Sequence, residues 1–385
     1  MTVYMMDGFE TYGDKTTAGA TVEANITATV GPDTEVEFLE ISGGHAGGNV
    51  SIIDDFDTEG FALEFPNFSS GRAEYVRWQW PDGGGRFADK QVLTDASAPV
   101  FCVGFRLYNA AWTVPSGTVV STIFQPMNGA TSDAGSLQIL DNQTTLRFVD
   151  KDAISYDAVG ALTPSTWHYI EVEWKQTTIP NGGYAKVYVD GSEVIDTGAA
   201  DLSGFAFFYT YGFRIGLGVS GGNQNGGENY AIDDVYGIEI DGVEHTAPLG
   251  PCRVRVLTPT SDATPNDWTP SAGGDNYALI DEQDWDTSDY VDATATTNDD
   301  HYGLSTLGSG ATVHGVQIDC VCIAVNGTPN LHLGFDDGSA DEQDMGVIGT
   351  GSTLMQRQFF QQDPSSVDWT DTSINAVEAT QRMTE

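Results

Sequence analysis

The chain has 385 residues, of which 56 are acidic and only 15 are Lys or Arg, a formal net charge of -41. Phosphate backbones are held by Lys and Arg, so this balance excludes nucleic acid as a partner. With 40% hydrophobic and 11% aromatic residues, the chain is also too apolar to be a disordered acidic tail.

Asp outnumbers Glu by about two to one, and Lys occurs only at Lys15, Lys90, Lys151, Lys175 and Lys186. A surface of short carboxylates repels itself and destabilises the compact state. Molar salt relieves this, because the Debye length falls to about 3 Å at 1 M. The composition therefore points to a protein built for brine, or to carboxylates neutralised by bound Ca2+ or Mg2+. The length predicts two or three domains. No apolar run reaches the roughly eighteen residues of a membrane helix, so no membrane partner is expected. Met1 to Glu10 lacks the basic and apolar regions of a secretory signal. Release in a particle by lysis would reconcile an extracellular location with that start.

Many short alternating runs and 45 glycines predict an all-β protein. Strands are expected at 100–107, 119–125, 136–140 and 145–149. The clearest signal follows at 167–196. Ile170, Val172 and Trp174 form one face of a strand, and Tyr169, Glu171, Glu173 and Lys175 form the other, the period-2 pattern of a half-buried strand. In the next run Ala185, Val187 and Val189 point inward, while Tyr184, Lys186 and Tyr188 share the outer face. Asp190-Gly191 then predicts a two-residue hairpin turn, since both residue types tolerate positive φ. Ser192 to Asp196 returns antiparallel. Further strands are expected at 205–217 and 230–240.

Thr246-Ala247-Pro248-Leu249-Gly250-Pro251 breaks the pattern, because two prolines and a glycine end a strand and stiffen the connection. This predicts a first domain over 1–247, a linker at 248–251 and a second, smaller domain over 252–385. The Asp-, Thr-, Pro- and Gly-rich segment 259–300 reads as long loops. Strands resume at 312–325, 331–335, 354–360 and 374–379, ahead of a polar tail.

Four cysteines, Cys102, Cys252, Cys320 and Cys322, fit no zinc spacing. Cys320 and Cys322 are two apart on a strand, so both face the same way with Val316 and Ile318, as small core residues. A disulfide from Cys252 to one of them stays open.

The carboxylates raise three metal candidates. Asp55-Phe56-Asp57-Thr58-Glu59-Gly60 begins like a calcium loop, but Pro66 stands where the helix-loop-helix site needs a bidentate Glu, so only a looser site built on Asp55 and Asp57 survives. Asp233 and Asp234 are adjacent on a strand and point to opposite faces, so at most one can join a given ion. Asp336, Asp337, Asp341 and Asp344 read as a solvated acidic loop. The six histidines show no HExxH, HxH or Ser/His/Asp signature. Tyr184 and Tyr188, close to Tyr169 on the neighbouring strand, are the candidates for glycan contact. The same rings also suit a subunit contact.

The 167–196 hairpin and the run Tyr230-Ala231-Ile232-Asp233-Asp234-Val235-Tyr236 resemble laminin-G-like, concanavalin-A-like jelly rolls. The order of segments Met6 to Tyr12, Gly250 to Val254, Asp289 to Val291, Val313 to Gln317 and Asp363 to Thr370 is similar to that of a group of tailed-virus structural proteins. The resemblance covers nearly the whole chain. It implies a laminin-G-like β-sandwich followed by a second β-sandwich, in a virion component of head or tail. Its expected partners are other virion proteins, further copies of itself, and a host-surface glycan or S-layer. The extreme acidity departs from that group and points to a salt-loving host. Some enzymes on this sandwich cleave glycans with strand-borne carboxylates, and Glu35, Glu37 and Glu40 have such a spacing. The segment lacks aromatic residues to floor a sugar subsite and is read as an acidic strand edge. No catalytic residue is assigned.

Overall fold

The computed structural model describes residues 2–7, 29–30, 38–41, 51–54, 61–65, 74–79, 100–109, 121–127, 135–140, 143–177, 181–202, 212–217, 230–240, 242, 245–281, 289–327, 329–339, 341–347 and 354–384. The chain forms two compact units, the first built mainly from Glu37–Val254 and the second from Arg255–Glu385. Both are all-β.

In chain order, the strands of the first unit are β1 (Thr2–Asp7), β3 (Phe38–Ile41), β4 (Ser51–Asp54), β5 (Phe61–Phe65), β6 (Glu74–Gln79), β7 (Val100–Asn109), β8 (Ser121–Met127), β9 (Gly135–Ile139), β10 (Leu146–Asp150), β11 (Ser155–Ala158), β12 (Trp167–Lys175), β13 (Tyr184–Val189), β14 (Ser192–Asp196), β15 (Gly212–Leu217) and β16 (Tyr230–Ile240). The short β2 (Thr29–Val30) belongs to the second unit. One sheet runs β14-β13-β12-β7-β16-β5-β4, with β1 also on β16, and the other runs β11-β10-β9-β8-β15-β6-β3. The pairings within both sheets are antiparallel, so the first unit is a β-sandwich.

Alternation places the core between these sheets. Phe101 and Phe105 of β7 and Trp174 of β12 point in from one side, and Phe124 of β8 and Phe213 of β15 from the other. Phe124 lies 5.7 Å from Trp174, 5.9 Å from Phe213 and 6.2 Å from Phe105, ring centre to ring centre. Each such ring contributes about 1.5–3 kcal/mol by burial. The turn between β13 and β14 has φ of 51° at Asp190 and 78° at Gly191, the left-handed pair that a tight hairpin requires. The Asp190 carboxylate has a second task. It accepts from the Tyr169 N–H at 2.8 Å and meets His168 Nδ1 at 2.8 Å, pinning the turn to β12.

The second unit contains β17 (Pro259–Asn266), β18 (Thr269–Pro270), β19 (Val291–Asp292), β20 (Asp299–Leu304), β21 (Val316–Cys322), β22 (Asn330–Asp336), β23 (Asp341–Val347), β24 (Leu354–Phe360) and β25 (Glu378–Thr384). A sheet β17-β20-β25-β22-β23 faces a smaller one, β2-β24-β21. Leu331 and Leu333 of β22 pack against Ile318, Cys320 and Cys322 of β21, and Phe335 meets Phe360 of β24 at 5.0 Å. The two cysteines share the core-facing side, as their spacing requires.

Several stretches of the second unit differ from the sequence expectation. Asp336, Asp341 and Asp344, read as an acidic loop, lie in β22 and β23, and β20 forms where no strand was expected. Residues 259–266, read as loop, form β17, and the supposed polar tail forms β25 at the centre of its sheet. Both are held by polar contacts, which hydrophobic periodicity does not register. Asp262 accepts from the N–H groups of Asn276 and Tyr277 at 2.9 and 2.7 Å, and Gln381 of β25 donates to the Tyr302 hydroxyl at 2.8 Å. Between them lies Asp300, fully buried. Its carboxylate accepts from the Asp267 and Trp268 N–H groups at 2.6 and 2.8 Å, and from the Asn276 amide and Tyr302 hydroxyl, both at 2.7 Å.

Replacing Asp300 by Ala takes one acceptor from four donors: the Asp267 N–H keeps the Asp299 carbonyl and the Asn276 amide keeps Asn266 and Trp268, while the Trp268 N–H and the Tyr302 hydroxyl lose the Asp300 acceptor. An unmet buried polar group costs about 1–3 kcal/mol. Asp300→Ala is therefore expected to lower the unfolding free energy of the second unit by more than about 2 kcal/mol in denaturant titrations. A wild-type midpoint would refute the nest as a stabilising element.

Candidate functional site

Of the groups singled out in the sequence, Tyr169, Tyr184, Tyr188, Asp233 and Asp234 lie on the β13-β12-β7-β16 sheet. Strand register sets the residues of its outer face in rows: Tyr188, Glu171, Gly104 and Tyr236 in one, Lys186, Glu173, Cys102 and Ile238 in the next, and Tyr169, Arg106 and Asp233 in a third. A half-buried strand was expected for β12. Instead every residue from His168 to Trp174 is buried, because this outer face is also covered. Part of the cover is the chain's own segment Leu249–Val254, and this is why the first compact unit runs on to Val254.

That segment is tied down by three groups. The Tyr236 hydroxyl donates to Glu171 Oε1 at 2.5 Å and accepts from the Leu249 N–H at 3.1 Å. The same Glu171 oxygen accepts from the Gly250 N–H at 2.8 Å. Asp234 Oδ1 accepts from the Val254 N–H at 2.8 Å, and Arg253 lies 3.4 Å from its other oxygen. Gly104 makes the arrangement fit, since a Cβ there would overlap the Tyr236 ring. Burial pushes the Glu171 carboxyl up, and the hydrogen bonds from Tyr236 and Gly250 oppose the rise. Burial likewise raises the Cys102 thiol beneath Tyr236, and pushes Cys252 up to about 12. All four cysteines are free thiols.

Asp233 and Asp234 do not split between faces. Asp233 pairs with Arg106 and Tyr236 with Gly104, so Asp234 and Val235 together oppose the single residue Phe105. This is a β-bulge, and Asp234 takes φ of 51° within it. The bulge swings both carboxylates to Arg106 Nη1, at 3.6 and 3.5 Å. The guanidinium also sits 4.5 Å above the Trp167 ring. Both aspartates are 3% exposed, so this pair of metal candidates is an ion-paired structural cluster in the described geometry. Among the described residues, no group of three or more His, Cys, Asp or Glu side chains is arranged to hold a metal. Asp55 and Asp57, and Glu35 and Glu37, lie outside the described residues.

Of the three tyrosines, Tyr169 is corrected out of the surface. It is buried, stacks on Tyr236 at 6.3 Å and donates to the Asp234 carbonyl at 3.2 Å. Tyr184 and Tyr188 remain half-exposed. Their hydroxyls donate to opposite oxygens of the buried Glu173 carboxylate, at 2.7 and 3.2 Å. Burial and the Glu173 charge keep both phenols protonated well above the ordinary range, so they stay donors. Lys186, between them on β13, lies 3.4 Å from Glu193. His168 has a structural role: the Thr163 N–H donates to its Nε2 at 2.8 Å, so Nδ1 carries the proton that faces Asp190.

Sequence reasoning did not find Arg106, Glu171, Glu173 or Tyr236 as a connected set. The row relation between β7 and β12 was the missing signal. In the second unit His301, also unassigned, lies 3.2 Å from Glu378, 3.5 Å from Asp299 and 3.6 Å from Asp336.

No protein-family model matches the chain, and no curated protein sequence matches it. Solved structures similar to it include an endo-beta-1,4-glucuronan lyase from the fungus Trichoderma reesei, 16% identical, with a TM-score of 0.35 over 61% of this chain and 95% of that one. The alginate lyase Aly36B is 11% identical, with a TM-score of 0.35 over 60% of this chain and 95% of that one. The binding domain of Paraclostridial Mosquitocidal Protein 1 is 13% identical, with a TM-score of 0.33 over 52% of this chain and 44% of that one.

Two predictions follow from the docked segment. Tyr236→Phe removes a donor to Glu171 and an acceptor for Leu249, and is expected to cost about 1–3 kcal/mol. Limited proteolysis should then cut faster within 249–254, and unchanged cleavage there would count against the docking. Because the folded-state pKa of Glu171 is raised, its contribution favours the fold below the unfolded value and is lost as pH rises through the folded one. The stability difference between wild type and Glu171→Gln, at fixed salt, should therefore shift against wild type from about pH 4 to about pH 7. A difference that is flat across that range would show that Glu171 does not titrate in this way.

Proposed function

We propose that this chain is a non-catalytic structural and contact protein of a tailed-virus particle whose host lives in brine. The observation that carries the non-catalytic part is the fate of the buried carboxylates on the candidate face. Glu171 is met by Tyr236 and Gly250, Glu173 by Tyr184 and Tyr188, and Asp233 and Asp234 by Arg106. A general acid or base must face its substrate, whereas these groups face fixed internal donors and fasten the chain to itself. The order of sequence segments shared with tailed-virus structural proteins supports the virion assignment. The net charge of -41 supports a salt-rich setting. Self-association is expected because particles are symmetric.

A second reading, attachment to a host-surface glycan or S-layer, is favoured by one feature. Tyr184 and Tyr188 are half-exposed and fixed in place by Glu173, beside the fully buried run His168–Trp174 of β12.

The test is made on gradient-purified particles. Antibody to the recombinant chain is expected to label one head or tail location, and the melting temperature of the free chain to rise from dilute buffer to about 1 M KCl. A chain absent from particles, indifferent to salt and able to turn over a glycan would overturn the proposal.

A further inference from the structure

We infer that the outer face of β13 is a binding site for a neutral, hydroxyl-rich oligosaccharide and discriminates against polyuronates. The inference deepens the attachment reading and rests on it. Tyr184 and Tyr188 alternate with Ala185, Val187 and Val189, which enter the core, so both rings stand on the outer side of the strand. They are four residues apart, about 13 Å at roughly 3.4 Å per residue. That is the backbone separation; the two hydroxyls converge on one carboxylate, so the rings lie closer together and form one platform for one or two adjoining sugar rings. Both hydroxyls reach back to one carboxylate, Glu173, which is itself 8% exposed. The rings are thereby fixed before any ligand arrives, and little side-chain freedom remains to be lost on binding.

The hydrogen-bond inventory sets the chemistry of the ligand. Each phenol spends its proton on Glu173, leaving its oxygen as an acceptor at the surface. Lys186, between the rings, presents N–H donors beside its Glu193 partner. A ligand that both donates and accepts is required, as sugar hydroxyls do. The charges around the rings are Glu173, Glu193 and Asp196 against Lys175 and Lys186, an acidic balance. A uronate chain would bring further carboxylates onto this face, and like charges repel. Apolar ring faces stacked on tyrosine carry no such cost and do not depend on ionic strength.

The experiment is calorimetric titration of the full chain, at the lowest KCl concentration that keeps it folded and again in molar KCl where charge repulsion is screened, with cellohexaose, maltohexaose and mannohexaose, against hexamers of glucuronate and guluronate. At least one neutral hexamer is expected to bind at both concentrations, and neither uronate at the lower one. Tyr184→Ala and Tyr188→Ala should each weaken binding about threefold to tenfold. Tyr184→Phe and Tyr188→Phe keep the rings and should weaken it less, which also covers an alanine variant that fails to fold. Uronate binding as tight as neutral binding at the lower concentration, or neutral binding untouched by both alanine variants, overturns the inference. If no hexamer binds while the chain still binds host envelope, the sugar class is wrong and attachment stands. Loss of envelope binding as well sinks the attachment reading itself.

Discussion

A carboxylate taken out of water must be met by donors, and this chain has few cations to supply. With 56 acidic residues against 15 Lys and Arg, ion pairs cannot serve every buried acid. One guanidinium, Arg106, is placed where two buried charges sit together, between Asp233 and Asp234. Elsewhere phenols and backbone N–H groups do the work: Tyr236 and Gly250 for Glu171, Tyr184 and Tyr188 for Glu173, and two N–H groups, an amide and a phenol for Asp300. A phenol suits this role because its ring packs in the apolar layer while its hydroxyl points into the polar one. An unpartnered carboxylate in the same places would cost several kcal/mol, so these positions tolerate few substitutions.

The bulge at Asp234 shows how one irregularity organises a face. Regular alternation would send Asp233 and Asp234 to opposite sides of β16. The extra residue turns both toward Arg106 and leaves Asp234 Oδ1 to receive the Val254 N–H. β16 also changes neighbours near this point, pairing with β5 over Tyr230 to Ile232 and with β1 from Val235 onward. The bulge thus marks the place where the strand passes from one partner to the other. The docked segment exploits the resulting display of acceptors.

Legibility followed the physics of each element. β12, β13 and the Asp190-Gly191 turn could be read because burial on their inner face and positive φ at the turn both leave local marks in sequence. β17 and β25 could not, because their contacts are made by polar side chains, Asp262 to backbone N–H groups and Gln381 to the Tyr302 hydroxyl, and these have no period. The outer faces of β7 and β12 misled for a related reason. A Tyr or Glu at an outward position reads as solvated, and only the strand register and the covering segment reveal that it is buried. Tyr184 and Tyr188 were legible as a pair, but the carboxylate that fixes them was visible only as one more acidic residue in an acidic chain.

The two levels meet in what a surface of this composition can recognise. Charge attraction is a poor basis for selectivity where the Debye length is about 3 Å. It is poorer still on a protein whose formal net charge is -41. What survives salt is contact of shape: apolar rings, fixed hydroxyls and the exclusion of like charge at close range. Tyr184 and Tyr188 supply the first two, and the carboxylates around them supply the third. On the proposed reading of a salt-rich setting and glycan attachment, the acidity that would make the fold depend on salt would also disfavour ligands carrying negative charge.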